Sequence, residues 1–432
     1  MHRQLPEPIT TASVSLSRWL RDGDRILVGQ GSGEPGALMR LLGQAATERR
    51  GLTAIIGTTL GELPRADGAA SGGDEGLRFE SYGAMGTAAQ LPEAALTVLP
   101  LHYSQFIARI ADGRLPCDVV FVQLSPPDAD GRHHIGMGDL HMIDAARRAR
   151  VVIAEINPQT PHTPGTRWPD DLPVHVAVAA EGAPLAPRAV EATPDDHRIA
   201  AHVAGIVPDR AVLQLGIGRL PDRIAEALRH HRDLGLHSGV LGDGAGALIR
   251  AGALTNAAKE IDAGRSVAGV IIGGSALLDH VRQDRSVEIR PTAYTHATGN
   301  IARLSRFTAI NSAIEVDLTG QINAEFAGRR RVGGTGGQVD VTRGAQASAG
   351  GRAIVALPST AKGGAVGRIV RQVSCVTVAR TDADTVVTEW GVAELAGQPL
   401  EERARRMIAI SAPDFREELS RCWHDQERHR HV

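Results

Sequence analysis

The sequence predicts an α/β protein built from two related open sheets whose faces are covered by helices. Short apolar runs alternate with glycine-rich breaks and stretches of helical period along the 432 residues. Apolar runs that are separated by helices are typical of parallel strands buried on both faces. The runs fall at 25–28, 52–56, 118–123, 151–156, 211–215, 267–272, 352–357 and 385–388.

Two similar segments of the sequence indicate that the fold is duplicated. Residues 24–42 read DRILVGQGSGEPGALMRLL, and residues 209–228 read DRAVLQLGIGRLPDRIAEAL. Each copy holds Asp-Arg, an apolar strand, a Gly-x-Gly turn and a proline near the start of an amphipathic helix. Proline fits there because the N–H that it lacks would have no helical partner. Strand-helix units also resemble one another by chance, but duplication is the preferred reading.

The predicted domains are residues 1–190 and 191–432. Their junction is expected within 158–196, which is rich in proline and acidic residues and poor in periodicity. The last segment, RCWHDQERHRHV, is polar and is expected to fray.

Composition excludes several classes of protein. Hydrophobic residues make up 42% and charged residues 22%, and 47 basic residues balance 49 acidic ones. No charge excess therefore points to nucleic acid or to a membrane surface. The three cysteines are widely spaced, which predicts neither disulfides nor a zinc site and fits a reducing cytoplasm. No apolar stretch approaches the roughly 18 residues of a membrane span, and we expect a soluble cytoplasmic protein.

Two glycine-rich segments are candidates for ligand binding. Gly216-Ile217-Gly218 follows a strand and opens a helix, where backbone amides and the helix dipole attract anions. The dinucleotide fingerprint is not matched, because Pro221 stands at its third glycine. The second segment, 333–337, reads GGTGG, and Lys362 follows in a further glycine-rich stretch. Exposed amides there could bind phosphate or polarise a carbonyl oxygen, although a surface loop is the simpler alternative.

Other polar clusters carry weaker signals. His237-Ser238-Gly239 is predicted to be a loop that leads to a helix at Ala247, and adjacent side chains on extended backbone face opposite ways, which disfavours a His-Ser dyad. Glu315 and Asp317 would share one face of a short strand, with spacing that does not decide their role. The remaining candidates match no recognised ligand spacing, so we predict no metal: His133, His134, Asp139 and His141.

Several ordered strings carry a family resemblance over nearly the whole chain. They are GEP at 33–35, VQLSPPD at 122–128, VIAEIN at 152–157, LGIG at 215–218 with Pro221, NSAIEVDLTGQIN at 311–323, GGTGGQVD at 333–340, ALPST at 356–360 and VTEWG at 387–391. With these strings the chain resembles the acetyl-CoA hydrolase/transferase family, which includes 4-hydroxybutyrate and acetate/succinate CoA-transferases.

The resemblance implies two α/β domains of the CoA-transferase type, with the active site between them in a homo-oligomer. The substrate would be an acyl-CoA, joined in a transferase by a small carboxylate. Coenzyme A would arrive as part of the substrate, with no covalently bound cofactor. The implied acyl pocket lies near residues 77–107, with Tyr82, His102 and Tyr103 as candidate linings. The implied CoA-binding residues are Gly216, Ile217, Gly218, Arg219, Leu220, Gly333, Gly334, Gly336, Gly337 and Lys362.

The chain departs from the family at one position. The family normally reads His-Ser-Glu where this chain has His237-Ser238-Gly239, and that glutamate forms an anhydride and then a glutamyl-CoA thioester. Glycine has no carboxylate, so the covalent relay cannot pass through Gly239. The family keeps acidic residues at Glu34, Glu315 and Glu389 beside its nucleophile, so these do not replace it.

Three functions remain open from the sequence. The first is an acyl-CoA enzyme without a glutamyl intermediate. It would either hydrolyse the thioester, with His237 or Asp243 as base beside Gly239, or stabilise an enolate formed by decarboxylation or C–C cleavage. The second is CoA transfer through another carboxylate that a shifted loop brings into reach. The third is an inactive CoA-binding subunit.

Overall fold

The computed structural model describes residues 5–64 and 76–430. The chain forms two compact units: unit 1 comprises Met1–Pro187 with Val267–Thr295, and unit 2 comprises Arg188–Ser266 with His296–Val432. The junction after Pro187 lies within the proline-rich stretch. The sequence predicted a single division of the chain at residue 190. The structure differs in one segment, Val267–Thr295, which returns to unit 1.

Helices and strands are numbered here in chain order. Up to residue 187 they are β1 Arg25–Val28, α1 Gly36–Ala45, β2 Thr53–Ile55, β3 Arg78–Ser81, β4 Leu96–Val98, α2 Tyr103–Ala111, β5 Val119–Leu124, α3 His141–Ala146, β6 Val151–Ile156 and β7 Val176–Ala179. The next are α4 Pro194–Ile206, β8 Val212–Leu215, α5 Arg219–Ala227, β9 Gly235–Leu241, α6 Asp243–Arg250, β10 Ser266–Ile271, α7 Ser275–Gln283, β11 Val287–Ile289 and α8 Thr292–Thr295. The remainder are α9 Thr298–Ile301, β12 Phe307–Ser312, β13 Glu315–Asp317, β14 Ile322–Asn323, β15 Phe326–Ala327, β16 Arg330–Arg331, α10 Gln338–Ala347, β17 Arg352–Ala356, β18 Thr360–Ala361, β19 Val366–Gly367, β20 Ile369–Val370, β21 Thr385–Thr388, β22 Gly391–Glu394, α11 Leu400–Ala409 and α12 Pro413–Arg430.

Unit 1 is built around a parallel sheet with the order β4-β3-β2-β1-β5-β6-β7. Alternate residues of β5 enter two different apolar clusters, with Val119 and Phe121 on one face and Val120 and Val122 on the other. Because side chains alternate along a strand, both faces of this sheet are buried. Helices therefore cover both sides, as the continuous apolar runs predict.

Unit 2 repeats this design. Its strands β9-β8-β12-β17-β21 run parallel, and β22 adds an antiparallel edge. The corresponding strands of unit 1 have the order β2-β1-β5-β6-β7. Strand β8 therefore occupies the same position in its sheet as β1, and a Gly-x-Gly turn follows each of these two strands. The two echoed sequence segments thus form equivalent strand-turn-helix units. This confirms the predicted fold class, an α/β protein with two related open sheets.

One local prediction was wrong. Residues 237–239 are not a loop but part of β9, which pairs with β8 through Val212 and Leu213 and has both His237 and Ser238 buried. Glycine in a sequence usually indicates a turn. A buried strand can nevertheless contain glycine where a neighbouring residue fills the space that a side chain would occupy. The polar C-terminal segment forms the end of α12, which extends to Arg430, and buried Leu419 and Trp423 anchor this helix to an apolar cluster. Fraying of its end stays a prediction.

Substitution of Gly165 tests the packing of the returning segment in unit 1. A Cβ on Gly165 would lie 2.1 Å from the carbonyl oxygen of Ile289, and Gly165 has a φ of +86°. We expect Gly165→Ala to lower the free energy of unfolding by about 2 kcal/mol or more, measured by chemical denaturation. The control Gly182→Ala meets no atom within 4 Å and should change little. Equal stability of the two variants would contradict this packing.

Candidate active site

Several segments of unit 2 that carry family strings follow the carboxyl ends of its parallel strands. The Gly-x-Gly turn follows β8, Glu315 follows β12, Ser359 follows β17 and Glu389 follows β21. Carboxyl ends of parallel strands meet at one edge of a sheet, which is where open α/β sheets bind ligands. Residues far apart in sequence therefore share this edge.

The first glycine segment forms the turn between β8 and α5. Gly218 caps the helix with a φ of +103° and a ψ of −175°, a conformation that side chains disfavour. A Cβ on Gly218 would meet nothing within 4 Å, so open space lies in front of this turn. The helix has no side-chain cap, which leaves its first amides to solvent or to a ligand. A turn of this kind can bind an anion, and that role of Gly216 to Leu220 stays a prediction.

Two arginines place positive charge near this turn. Arg219 Nε lies 2.9 Å from the carboxylate of Asp196, which is fully buried. Arg368 donates to the carbonyl oxygens of Ile314 and Ala313 at 2.7 and 3.0 Å. Burial lowers the pKa of Arg368, and the charge of Arg219 lowers it further, so the two guanidinium groups lie within electrostatic range. Arg368 carries no motif in the sequence, and the sequence analysis missed it.

The second glycine segment precedes α10, and its glycines have different roles. Gly333 packs against backbone, since a Cβ there would lie 2.2 Å from the carbonyl oxygen of Ala324. Gly336 adopts a left-handed φ of +50° with open space around it. Gly337 caps α10 and faces a side chain, the imidazole of His296. The glycine density therefore reflects close packing at both ends of the segment and a left-handed turn between them.

His296 lies between the two predicted glycine positions. A Cβ on Gly239 would lie 2.9 Å from its Cε1 and 3.0 Å from its Nε2. A Cβ on Gly337 would lie 2.5 Å from Nε2 and 2.7 Å from Cδ2. Gly239 does not adopt a positive φ, so its backbone would accept another residue. A side chain at Gly239 would therefore have to displace the imidazole.

His296 is 7% exposed, and its surroundings favour the neutral ring. Burial lowers its pKa, and the carboxylate of Asp340 opposes this shift. Asp340 belongs to the first turn of α10, the helix that begins directly after Gly337. The carboxylate of Asp340 on α10 thus offsets part of the free-energy cost of charging the buried imidazole.

The chain is similar to several known proteins. Residues 273–422 match the acetyl-CoA hydrolase/transferase C-terminal domain. The chain is 36% identical over 323 residues to the 4-hydroxybutyrate coenzyme A transferase of Clostridium kluyveri, covering 74% of this chain and 75% of that one. The chain belongs to the acetyl-CoA hydrolase/transferase family. It is also 34% identical to the succinyl-CoA:cyclohexane-1-carboxylate CoA transferase of Geobacter metallireducens, over 74% of each chain. The crystal structure of RipA from Yersinia pestis superimposes with a TM-score of 0.88 at 29% identity, over 97% of both chains.

The other predicted site residues of this family member occupy varied environments. His237 is fully buried, with its ring edge-on to Phe307 at 6.3 Å between centroids. Ser238 donates to the carbonyl oxygen of Leu215 at 3.3 Å. Asp243 is exposed as the first residue of α6. Lys362 is exposed on the turn between β18 and β19 with a φ of +52°, and its role in binding remains a prediction.

The acidic residues that the family resemblance places beside its nucleophile are held by hydrogen bonds. Glu315 accepts from Asn323 at 2.9 Å and from the amide and hydroxyl of Ser374, each at 2.8 Å. Glu389 accepts from the amide and hydroxyl of Ser359 at 2.8 and 2.5 Å. In unit 1, Glu34 accepts from the amide of Leu60 at 2.8 Å, and burial raises its pKa to about 7. These bonds fix each carboxylate in place.

The implied acyl-pocket residues of unit 1 form a buried network. Gln30 donates to the hydroxyl of Tyr103 at 2.9 Å and to Asp139 at 2.8 Å, and it accepts from the hydroxyl of Tyr82 at 3.1 Å. Both tyrosines are less than a tenth exposed. Their hydroxyl groups take part in the internal hydrogen bonding of unit 1.

Two features are absent from the described ranges 5–64 and 76–430. No three histidine, cysteine, aspartate or glutamate side chains there form a group that could hold a metal ion. In the same ranges, none of the helices combines the length and the apolar character needed to span a membrane.

A double-mutant cycle tests the contact between Gly239 and His296. Gly239→Ala adds a methyl group against the imidazole and should lower the free energy of unfolding by about 1–3 kcal/mol. The same substitution should cost less in a His296→Ala background, because the colliding ring is gone.

Chemical denaturation of the four proteins gives the coupling energy between the two sites. The control Gly205→Ala lies on α4 with no atom within 4 Å of the new Cβ, so stability should stay constant or rise slightly. Additive effects of Gly239→Ala and His296→Ala would contradict the contact.

Proposed function

We propose that this chain binds acyl-CoA thioesters at the two glycine segments of unit 2 and hydrolyses them without a glutamyl-CoA intermediate. The observation that carries the proposal is the imidazole of His296 packed against Gly239. At this position the family resemblance implies a covalent glutamate. Here the position has neither a carboxylate nor space for one.

Binding is supported by the charges and amides around the first glycine segment. Coenzyme A carries phosphate groups, and the open amides of α5 with Arg219 and Arg368 offer an anion site. The names of the related proteins specify CoA thioesters and CoA transfer. Retention of this segment in the chain favours a working ligand site over an inactive subunit.

Hydrolysis is favoured over transfer by the state of the remaining carboxylates. Transfer through another residue would need a carboxylate free to attack the thioester carbon. Glu315 and Glu389 are instead held by amide and hydroxyl donors. Water needs no covalent relay, and the amides of the glycine segments could stabilise the oxyanion that forms during its attack.

Thiol release separates the three functions. The protein is mixed with a panel of acyl-CoA thioesters, with and without acetate, and free CoA is followed with a thiol-reactive chromophore. We expect release that does not depend on acetate. Release that requires acetate would indicate transfer, and tight CoA binding without release would indicate an inactive subunit.

Chemical trapping examines the intermediate directly. Incubation with acyl-CoA followed by borohydride or hydroxylamine should leave the protein mass unchanged, because no acyl-enzyme or glutamyl thioester forms. A family CoA-transferase treated in parallel serves as the positive control. A modified acidic residue in this chain would overturn the noncovalent mechanism.

Restoring the glutamate tests why the relay is absent. We expect Gly239→Glu alone to gain no acetate-dependent transfer, because its side chain would collide with His296. The double variant Gly239→Glu/His296→Ala has the required space and is expected to gain such transfer. Transfer by the single variant, measured with acetyl-CoA and a second carboxylate, would refute the steric explanation.

A further inference from the structure

We propose that His296 is the general base that activates water for attack on the thioester. This inference rests on the proposed hydrolysis and adds the residue that performs its first proton transfer. His296 stands outside every motif of the sequence, and its assignment comes from its position between Gly239 and Gly337.

The position of Nε2 carries the argument. This ring atom comes close to both glycines, at 3.0 Å from a Cβ placed on Gly239 and 2.5 Å from a Cβ placed on Gly337. The first glycine belongs to β9, and the second opens α10 at the end of the glycine-rich segment. A basic nitrogen thus lies beside backbone that could present amides to a thioester carbonyl group.

The environment of the ring suits a base. Its burial favours the neutral form, which can accept a proton at neutral pH. The carboxylate of Asp340 would stabilise the imidazolium that forms when the proton is transferred. A base supported by an acidic group in this way is a recurrent arrangement in hydrolytic enzymes.

The other two candidate bases are placed less well. His237 shares a face of β9 with Gly239, but its ring is fully buried against Phe307. Asp243 lies beyond the end of β9 and is exposed at the start of α6. His296 combines contact with Gly239 and partial exclusion of water.

The proposed reaction uses water as the only co-reactant. The water oxygen forms a bond to the thioester carbon as one of its protons moves to Nε2 of His296. The tetrahedral intermediate then collapses, the C–S bond breaks, and the imidazolium returns its proton to the departing thiolate. The products are free CoA and a carboxylic acid, which ionises in solution, so the histidine is regenerated.

The test compares His296→Ala and His296→Gln with the wild-type protein. We expect kcat for thiol release to fall by about 100-fold or more in both variants, the usual contribution of a general base. Binding of CoA, measured by calorimetry, should change by less than about threefold. The control His231→Ala removes a histidine whose Nε2 contacts the carbonyl oxygen of Val207, and it should keep the wild-type rate.

Chemical rescue distinguishes a base from a side chain that only fills space. Added imidazole should restore thiol release by His296→Ala in proportion to its concentration. Pyrazole has nearly the same size but is a far weaker base, and it should restore little. Equal rescue by the two compounds would mean that the ring acts only by packing, and the assignment would fall.

The outcomes separate this inference from the proposed function. Absence of thiol release from the wild-type protein would remove the hydrolytic function itself. Wild-type release with unchanged kcat in His296→Gln would leave hydrolysis standing but overturn His296 as its base. Should His296→Ala fail to fold, the near-isosteric glutamine variant still decides the matter through kcat.

Discussion

The packing of one imidazole against two glycines constrains the whole candidate site. His296 occupies the space in front of both Gly239 and Gly337, so neither position can carry a side chain without displacing the ring. The contact explains why a glycine can stand in a strand that is otherwise built for burial. It also joins β9 to the start of α10, the two parts of unit 2 that the family resemblance assigns to catalysis and to CoA. Glycine at 239 is therefore part of a packed arrangement and not a simple loss of a side chain.

The parallel sheet of unit 2 makes this arrangement possible. Strands that run in one direction deliver their following loops to one edge, so the turn after β8, the carboxylates after β12 and β21, and Ser359 after β17 collect there. Each carboxylate is then fixed by nearby amides and hydroxyls. Positive charge comes from Arg219 and Arg368, which belong to different parts of the chain. In the proposed function, amides and cations of this scaffold bind the substrate and the histidine performs the chemistry.

Much of the fold could be predicted because its signals are local. The apolar runs at 25–28, 151–156 and 385–388 coincide with β1, β6 and β21, and the other predicted strands agree within one residue at each end. The echoed Asp-Arg and Gly-x-Gly segments identified two related units, because a strand-turn-helix needs the same residue types each time. The prediction of a loop at 237–239 was wrong, because local glycine content does not reveal that neighbouring strands and a histidine distant in sequence pack against this segment.

The residue pattern alone indicated the α/β class, the duplicated design and the family, and the family resemblance implied that Gly239 stands in place of a glutamate. Each depends on residue identity or on short-range periodicity, which is readable along the chain. The packing of His296 against Gly239 and Gly337, and the electrostatic influence of Arg219 on Arg368, emerged only in three dimensions. Such contacts depend on strand order, on which face each residue occupies and on how side chains fill the remaining volume, and none of these leaves a trace in sequence spacing.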